Sequence, residues 1–463
     1  MKIKRPPVVV FLGHVDHGKT TLQDVIRNTN IALREAGGIT QSTSFSKVKT
    51  PEGEIVMIDT PGHAAFAKMR QRGAKFADVA VLVVAADAGV KPQTLEALSC
   101  IRQEKIPFLV AITKTDLATA NPESVKGQLE KEGVLFEGRG GDVPVVEVSA
   151  KEGKGISDLL ELIHLLGEIN EISGDPDSSL KAYILESRKD KKGLLVSVIV
   201  VDGTLSLGMN ISGGGVQAKV RGLFDVFGKP VKKALPGDPV NVLGFLDVPE
   251  VGSLITSDGE SKKESLQELK KATPPKVDKE QLGVIVKAKE QGALEAVVAS
   301  VPQNVVVLDA SVGDVVESDV FFAKTSNAKI ITFGSGASQS VLKLADTEGV
   351  EIIRFDIIYE LIKFLEEEVD KLKNKVVGKA QILAIFPFDG QKVVGCKVIE
   401  GVIKKGVDLT IMRRETEIGR AKAVSVKRGK EPISQAKSGE ECGILLQPQF
   451  DFKPGDVLLS LTK

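Results

Sequence analysis

Residues 13–20 read Gly-His-Val-Asp-His-Gly-Lys-Thr and fit the spacing G-x-x-x-x-G-K-[ST]. The chemistry of that spacing is phosphate binding. Glycines let the backbone wrap an oxyanion, so that several N–H groups point inward at a helix N-terminus. Lys19 would bridge the outer phosphates of a nucleotide, and the Thr20 hydroxyl would ligand Mg²⁺. Asp16, His17, Gly18 and Thr21 complete the cradle; His14 and His17 are read as shaping the loop, not as proton carriers.

Three later segments choose the base. Residues 59–62 are Asp-Thr-Pro-Gly, where Asp59 can hold a magnesium-bound water and the Gly62 N–H can meet the terminal phosphate. Residues 113–116 are Thr-Lys-Thr-Asp. There Asp116 can accept from guanine N1 and N2 while the stem of Lys114 covers the ring. Adenine lacks that donor pair and would leave a carboxylate unpaired, a penalty of about 1–3 kcal/mol. Ser149-Ala150-Lys151 would bring the Ala150 N–H to guanine O6. The set describes a P-loop GTPase that binds GTP and GDP. Thr113 stands where most GTPases have Asn, so specificity is expected to be kept and affinity lowered.

These groups converge only if each lies at a strand end. Apolar runs at residues 8–12, 55–58, 80–85, 107–112 and 143–148 alternate with helix-like stretches. That is the rhythm of a parallel sheet flanked by helices, whose carboxyl edge is where open α/β sheets bind ligands. A helix is expected from near Thr21.

The chain's 463 residues exceed one core. The reading is multidomain, α/β and β: a P-loop GTPase domain (1–172), a β-barrel (178–260), a small α/β domain (279–356), a long connecting helix (357–375) and a C-terminal β-barrel (376–463). Residues 173–179 read as a linker, and 258–278 as a charged connector with some helix. In the small domain, strands are expected at 284–287 and 330–333, helices at 294–299 and 341–345. Ile358, Leu361, Ile362, Leu365, Val369 and Leu372 fall on one helical face, leaving Glu366, Glu367 and Glu368 to water. The two barrels share, imperfectly, a V-x-[DE]-G-x-[LI] turn, at residues 201–205 and 398–403.

Basic and acidic side chains cancel at 62 each, so overall charge names no partner. Locally, residues 404–437 hold ten Lys or Arg against four acids, a net +6, which reads as a solvated face or an RNA-binding one. Cys100, Cys396 and Cys442 are far apart in sequence and odd in number. They suggest neither a disulfide framework nor a zinc site, and fit a reducing cytoplasm. No apolar run reaches the ~18 residues of a membrane span, and the N-terminus does not read as a secretion signal. Two Tyr and no Trp leave few platforms for stacking bases. His164, among Leu162, Leu165 and Leu166, reads as a packing residue.

Residues 13–22 together with Asp-Thr-Pro-Gly-His at 59–63 resemble the translational GTPases, the group of elongation factor Tu. Residues 35–41, Glu-Ala-Gly-Gly-Ile-Thr-Gln, resemble the first switch of bacterial translation initiation factor two. Residues 313–320 with 326–328 resemble that family's third domain, and 441–444 with 453–457 its last barrel. The likeness runs from about residue 6 to 461, without the long N-terminal extension many members carry. It implies a monomeric cytoplasmic factor, activated by the ribosome to hydrolyse GTP. Such a factor touches both subunits, places formylmethionyl initiator tRNA and promotes subunit joining.

The resemblance also assigns roles. Thr40 would close over Mg²⁺, and His63 would orient the attacking water. Val15 and Ile39 would form an apolar gate before His63, and Asp16 would help hold a monovalent cation. In the last barrel Lys427, Arg428 and Lys430 would meet tRNA phosphates, with a Glu441-Cys442-Gly443 turn bordering the formylmethionyl group. Gly429 and Glu440 stand where the family commonly has aromatics. An elongation-type carrier of aminoacyl-tRNA is disfavoured, because that group follows its first barrel with another barrel. A non-hydrolysing scaffold is disfavoured by His63.

Overall fold

A computed structural model of the chain describes residues 2–29, 40–190, 193–257, 281–373, 376–388, 391–414, 416–429 and 431–461. Ile39, Lys430 and the connector expected at 258–278 lie outside the described residues. The described residues divide into two compact units, 2–257 with 283–301 and 306–362 in the first, and 281–282, 302–305 and 363–461 in the second.

The first unit opens with β1 (Ile3–Lys4), β2 (Val8–Gly13), α1 (Lys19–Arg27), β3 (Ser44–Thr50) and β4 (Gly53–Asp59). Then come α2 (Ala67–Phe76), β5 (Val79–Ala85), α3 (Pro92–Glu104), β6 (Phe108–Thr113), α4 (Pro122–Lys131), β7 (Val145–Glu147) and α5 (Ile156–Ile169). Six of these strands form one sheet in the order β3-β4-β2-β5-β6-β7, all parallel except the β3–β4 hairpin. Alternation along β2 explains its unbroken apolar run. Val8, Val10 and Leu12 enter the core under α2, α3 and α4, whereas Val9 and Phe11 enter the core under α1 and α5. Helix α1 starts at Lys19, a little earlier than expected, because Gly18 at φ +83° supplies the left-handed turn that lets the helix follow the loop at once. His164 on α5 accepts or donates a 2.8 Å hydrogen bond with Thr50, pinning the β3–β4 hairpin.

The expected linker at 173–179 is partly a strand: β8 (Ser173–Gly174) pairs with β1, which satisfies both backbones. Strands β9 (Lys181–Asp190), β10 (Gly193–Asp202), β11 (Leu205–Ser206), β12 (Asn210–Gly213), β13 (Val216–Lys219), β14 (Gly222–Phe224), β15 (Lys233–Ala234), β16 (Pro239–Leu243) and β17 (Leu254–Thr256) follow. Seven of them order as β13-β12-β17-β9-β10-β16-β14 around one apolar core that includes Val196, Val198, Leu205 and Val242. A four-stranded sheet comes next in the order β19-β18-β20-β21, from β18 (Leu282–Ala288), β19 (Val305–Val312), β20 (Lys329–Phe333) and β21 (Ile352–Phe355). Helices α6 (Gln291–Ser300), α7 (Glu317–Ser326) and α8 (Gln339–Glu348) accompany it. Sequence periodicity missed β19, α7 and β21. Strand β19 is mostly half-buried without alternation and α7 has scattered apolar positions, so neither carries a clean stripe.

Helix α9 (Ile358–Lys373) buries Ile358, Leu361, Leu365 and Val369. Glu366 and Glu367 are exposed, but Glu368 is not wholly given to water: it is partly buried and ion-paired with Lys371.

The second unit carries β22 (Val376–Phe388), β23 (Gln391–Lys404), β24 (Asp408–Arg413), β25 (Thr416–Arg428), β26 (Glu431–Ile433), β27 (Gln435–Lys437), β28 (Glu441–Gln447) and β29 (Val457–Leu461). The path β22-β29-β24-β25-β28-β23 returns to β22 through a further β22–β23 pairing, so six antiparallel strands close a ring. Its interior holds Val394, Cys396, Leu409, Ile411, Cys442 and Ile444. The turn shared with the first barrel has a common cause: Gly203 and Gly401 have φ +74° and +68°, and a Cβ on either would strike backbone atoms within 3 Å.

Candidate functional site

At the carboxyl edge of the first sheet, a cleft of about 340 Å³ is lined by Val15, Asp16, Gly18, Lys19, Thr20, Thr21, Thr40, Gly62, His63 and Lys114. The loop after β2 thus meets the segments after β4 and β6. Lys19 is buried, and its ammonium is held by the carbonyls of Gly13 and His14 at 3.0 and 2.7 Å. Burial pushes its pKa down to about 8, while Asp59 and Asp16 oppose the fall and Arg70 adds to it. Gly62 stands so close over this lysine that a Cβ there would lie 2.6 Å from Nζ. The Thr20 and Thr40 hydroxyls lie 2.8 Å apart. Asp59 is 1% exposed and receives a bond from Gln23 at 3.3 Å.

The segment expected to read the base is braced in the same way. Ser149 Oγ donates to Asp116 Oδ1 at 2.8 Å and accepts the Glu152 N–H at 3.1 Å. Thr113 Oγ donates to the His17 carbonyl at 2.6 Å. This one bond ties the end of β6 to the phosphate loop, the structural half of the task expected of an Asn. Lys114 takes φ +57° at the loop and lies 3.8 Å from Asp87. Ala150 is half-buried and Lys151 exposed. His17 is buried and edge-on to His14 with centroids 5.0 Å apart. Burial and the charge of His14 lower its pKa to about 4, which keeps it neutral and suits a loop-shaping role.

His63 is half-buried. Its Nδ1 accepts the Ala65 N–H at 3.0 Å, so in the neutral ring the proton sits on Nε2. Burial, with the nearby Arg70 guanidinium, holds its pKa below the ordinary histidine value. Arg70, on α2 and 4% exposed, bonds the carbonyls of Pro61, Gly62 and His63 and pairs with Glu96. It fixes the very loop that presents the histidine. Gln93 accepts the Val15 N–H at 3.0 Å and steadies the opposite wall. Neither residue was singled out from sequence. A buried arginine in the run Lys-Met-Arg-Gln-Arg looks like any other basic helix residue until its carbonyl partners are known.

In the second unit, Lys427 and Arg428 are exposed at the end of β25. Arg428 is ion-paired with Glu440, whose carboxylate also accepts the Lys437 N–H at 2.9 Å. Residues 441–443 belong to strand β28 and not to the expected turn, because the preceding turn is completed at Gly439 with φ +86°. Cys442 therefore points inward, is 4% exposed and cannot border a surface ligand. Its Cα partner across the ladder is Cys396, also a buried free thiol, so two cysteines remote in sequence are neighbours. The outward residues at this level are Gly395 and Gly443, likewise Cα partners. Phe386, 56% exposed, lies against Gly395, and Val393 lies against Gly443. Lys427 pairs with Gly443 from the other side. Gly395 and Gly443 thus lie side by side, with Phe386 and Val393 against them and Lys427 on the adjoining strand. Gly429 has φ +60°, so the chain there favours glycine and an aromatic side chain would be strained.

Among the described residues no helix is long and apolar enough to cross a membrane, and no cluster of His, Cys, Asp or Glu is built to hold a metal by itself.

Residues 4–167 match the family model for the elongation factor Tu GTP binding domain, 179–258 that for elongation factor G domain 2, and 256–366 that for translation-initiation factor 2. Translation initiation factor IF-2 of Thermus thermophilus is 40% identical over 98% of this chain and 86% of its own length. That of Thermoanaerobacter sp. is 39% identical over 98% and 70%. Among solved structures, GDP-bound aIF5B from Aeropyrum pernix aligns over 99% of this chain and 92% of that one at 29% identity, with a TM-score of 0.47.

Proposed function

The chain belongs to the translation initiation factor 2 family of GTP-hydrolysing factors, and from that premise we propose how its residues divide the work. Lys19 and the N–H groups opening α1 hold the phosphates; Asp116, Ser149, Ala150 and the stem of Lys114 hold guanine. The hydroxyls of Thr20 and Thr40 with the buried Asp59 are hard oxygen donors that fit Mg²⁺, which keeps waters and takes few protein ligands. When bound there, the ion would neutralise charge on the phosphates. Lys151 lies at the guanine end of this set, and Asp16, exposed at the cleft, offers a carboxylate to a monovalent cation.

The observation that carries the mechanism is the Ala65 N–H bond to His63 Nδ1. With Nδ1 accepting the Ala65 N–H, the ring offers Nε2–H to a water oxygen and can orient that water. It does not offer a free base. Hydrolysis then awaits the ribosome, which brings the histidine into line. Val15, beside Gly62, makes the apolar side of this approach.

For the last barrel the reading is an electrostatic hold on the acceptor end of initiator tRNA by Lys427, Arg428 and Lys430, with Glu441 beside it. The methionyl group would lie over Gly443 and Gly395 against Phe386. Arg428 starts committed to Glu440, an exposed pair of little value to stability. Titrating the full chain with formylmethionyl and deacylated initiator tRNA at two salt concentrations tests this. Glu440→Gln is expected to tighten binding and steepen the salt slope by about one phosphate contact. Charge reversal at Lys427 and Arg428 should weaken binding and flatten the slope. No tRNA binding at low salt removes the adaptor role and leaves the GTPase standing.

A proton accompanies the nucleotide. Lys19, lowered to about 8 in the ligand-free site, must be an ammonium when it meets phosphate. Because the depressed pKa makes the amine neutral above that value, GTP affinity should fall as pH rises through 8. Calorimetry at pH 8 in two buffers of different ionisation heat should register proton uptake that vanishes near ~pH 6.5. Buffer-independent heats at pH 8 would refute a partly neutral Lys19.

A further inference from the structure

One turn of helix α9 reaches both segments that close the nucleotide cleft. Tyr359 lies edge-on to His63, with ring centroids 4.2 Å apart and planes at 89°. One residue earlier, the Ile358 N–H is accepted by Gln41 Oε1 at 3.1 Å, and Gln41 Nε2 donates to the Asp356 carbonyl at 2.8 Å. Gln41 directly follows the Thr40 whose hydroxyl meets Thr20. Tyr359 is also near enough to Asp16 for that carboxylate, after burial, to push the phenol's pKa up. The imidazole is thus held on two sides: Nδ1 by the Ala65 amide, and the ring by an aromatic edge.

We propose that Tyr359 is the positioning residue that holds His63 in its resting place, so that hydrolysis waits on displacement of the first turn of α9. The inference rests on the assignment of His63 as the water-orienting group and names what restrains it. The physical basis is the preferred perpendicular geometry of aromatic pairs, which fixes a ring's orientation as well as its position. Gln41 makes the restraint two-handed: the side chain that ties the turn to the Thr40 segment spans one backbone donor and one backbone acceptor of the same loop. Movement of the turn would release His63 and unfasten Gln41 together.

The test is GTP turnover by the full chain without ribosomes. Tyr359→Ala should raise it by up to about tenfold, the shift in population that one aromatic edge contact can hold back. Tyr359→Phe keeps the ring and should rescue the low wild-type rate. In the same Tyr359→Ala protein, the His63 imidazole followed by NMR should titrate closer to an ordinary histidine, because the ring that buries it is gone. GTP affinity reports that each variant is folded. Should Tyr359→Ala fold poorly, Gln41→Ala loosens the same turn and should raise turnover in the same direction.

Turnover that stays the same or falls in these variants, or an unmoved His63 titration, overturns the proposal. So does activation that survives in the Tyr359→Ala, His63→Ala double variant, since the tyrosine would then act through something else. Failure of the underlying assignment has its own signature: normal ribosome-stimulated turnover in His63→Ala alone.

Discussion

Replacing His63 by alanine is expected to leave GTP binding near normal and to slow ribosome-stimulated hydrolysis by about 10²–10⁴. Binding survives because Lys19, the loop amides and Asp116 are untouched, and because Arg70 fixes the loop through its carbonyls, not through the imidazole. Rate would be lost because the Nε2–H proposed to orient the water is gone. The pH profile supplies a second reading. The folded pKa of His63 is depressed, so its neutral form persists below the ordinary histidine value. Turnover without ribosomes, at saturating GTP, should therefore stay level as pH falls to about 6.5 and decline only further down. A profile that climbs with pH through neutrality would mean that the ring is not held below its ordinary pKa.

The second large effect concerns nucleotide choice. Asp116→Asn should reverse preference from GTP to xanthosine triphosphate, by about 10² or more. Ser149 donates to Asp116 Oδ1, and an Asn keeps that bond only with its carbonyl oxygen at the same place. The amide NH₂ then faces the base, where it repels the guanine donors and meets the xanthine 2-oxo group. Competition binding with both triphosphates decides it. Continued preference for GTP would mean that Asp116 does not read the base.

What was legible in the sequence was chemistry carried by short segments at strand ends. Gly13 to Thr20 and Asp59 to His63 declare their geometry because few other residues fit tight turns around phosphates. What was illegible was chemistry assembled across the fold. Arg70, Gln93 and Tyr359 matter through partners found only in three dimensions. Thr113 looked like a weakened Asn until its bond to the His17 carbonyl was seen. The ligand-bordering role expected of Cys442 in the last barrel failed on facing, since a strand's side chains alternate. Once residues 441–443 are a strand, Cys442 goes inward and Gly443 outward, and the thiol gives way to Gly395 and Phe386. The conformation of Gly429 also revises the sense of that position: a left-handed hairpin turn, not a vacancy awaiting an aromatic.

The ring of six strands in the second unit sets a clock. Open sheets, such as those of the first unit with β3 or β13 at their margins, can peel from an end, so their amides exchange with solvent deuterium over a graded range of times. A ring has no such end. The amides of its inward residues, from Val394 through Leu409 to Ile444, should be released only when the circle itself breaks, and so exchange on one shared time.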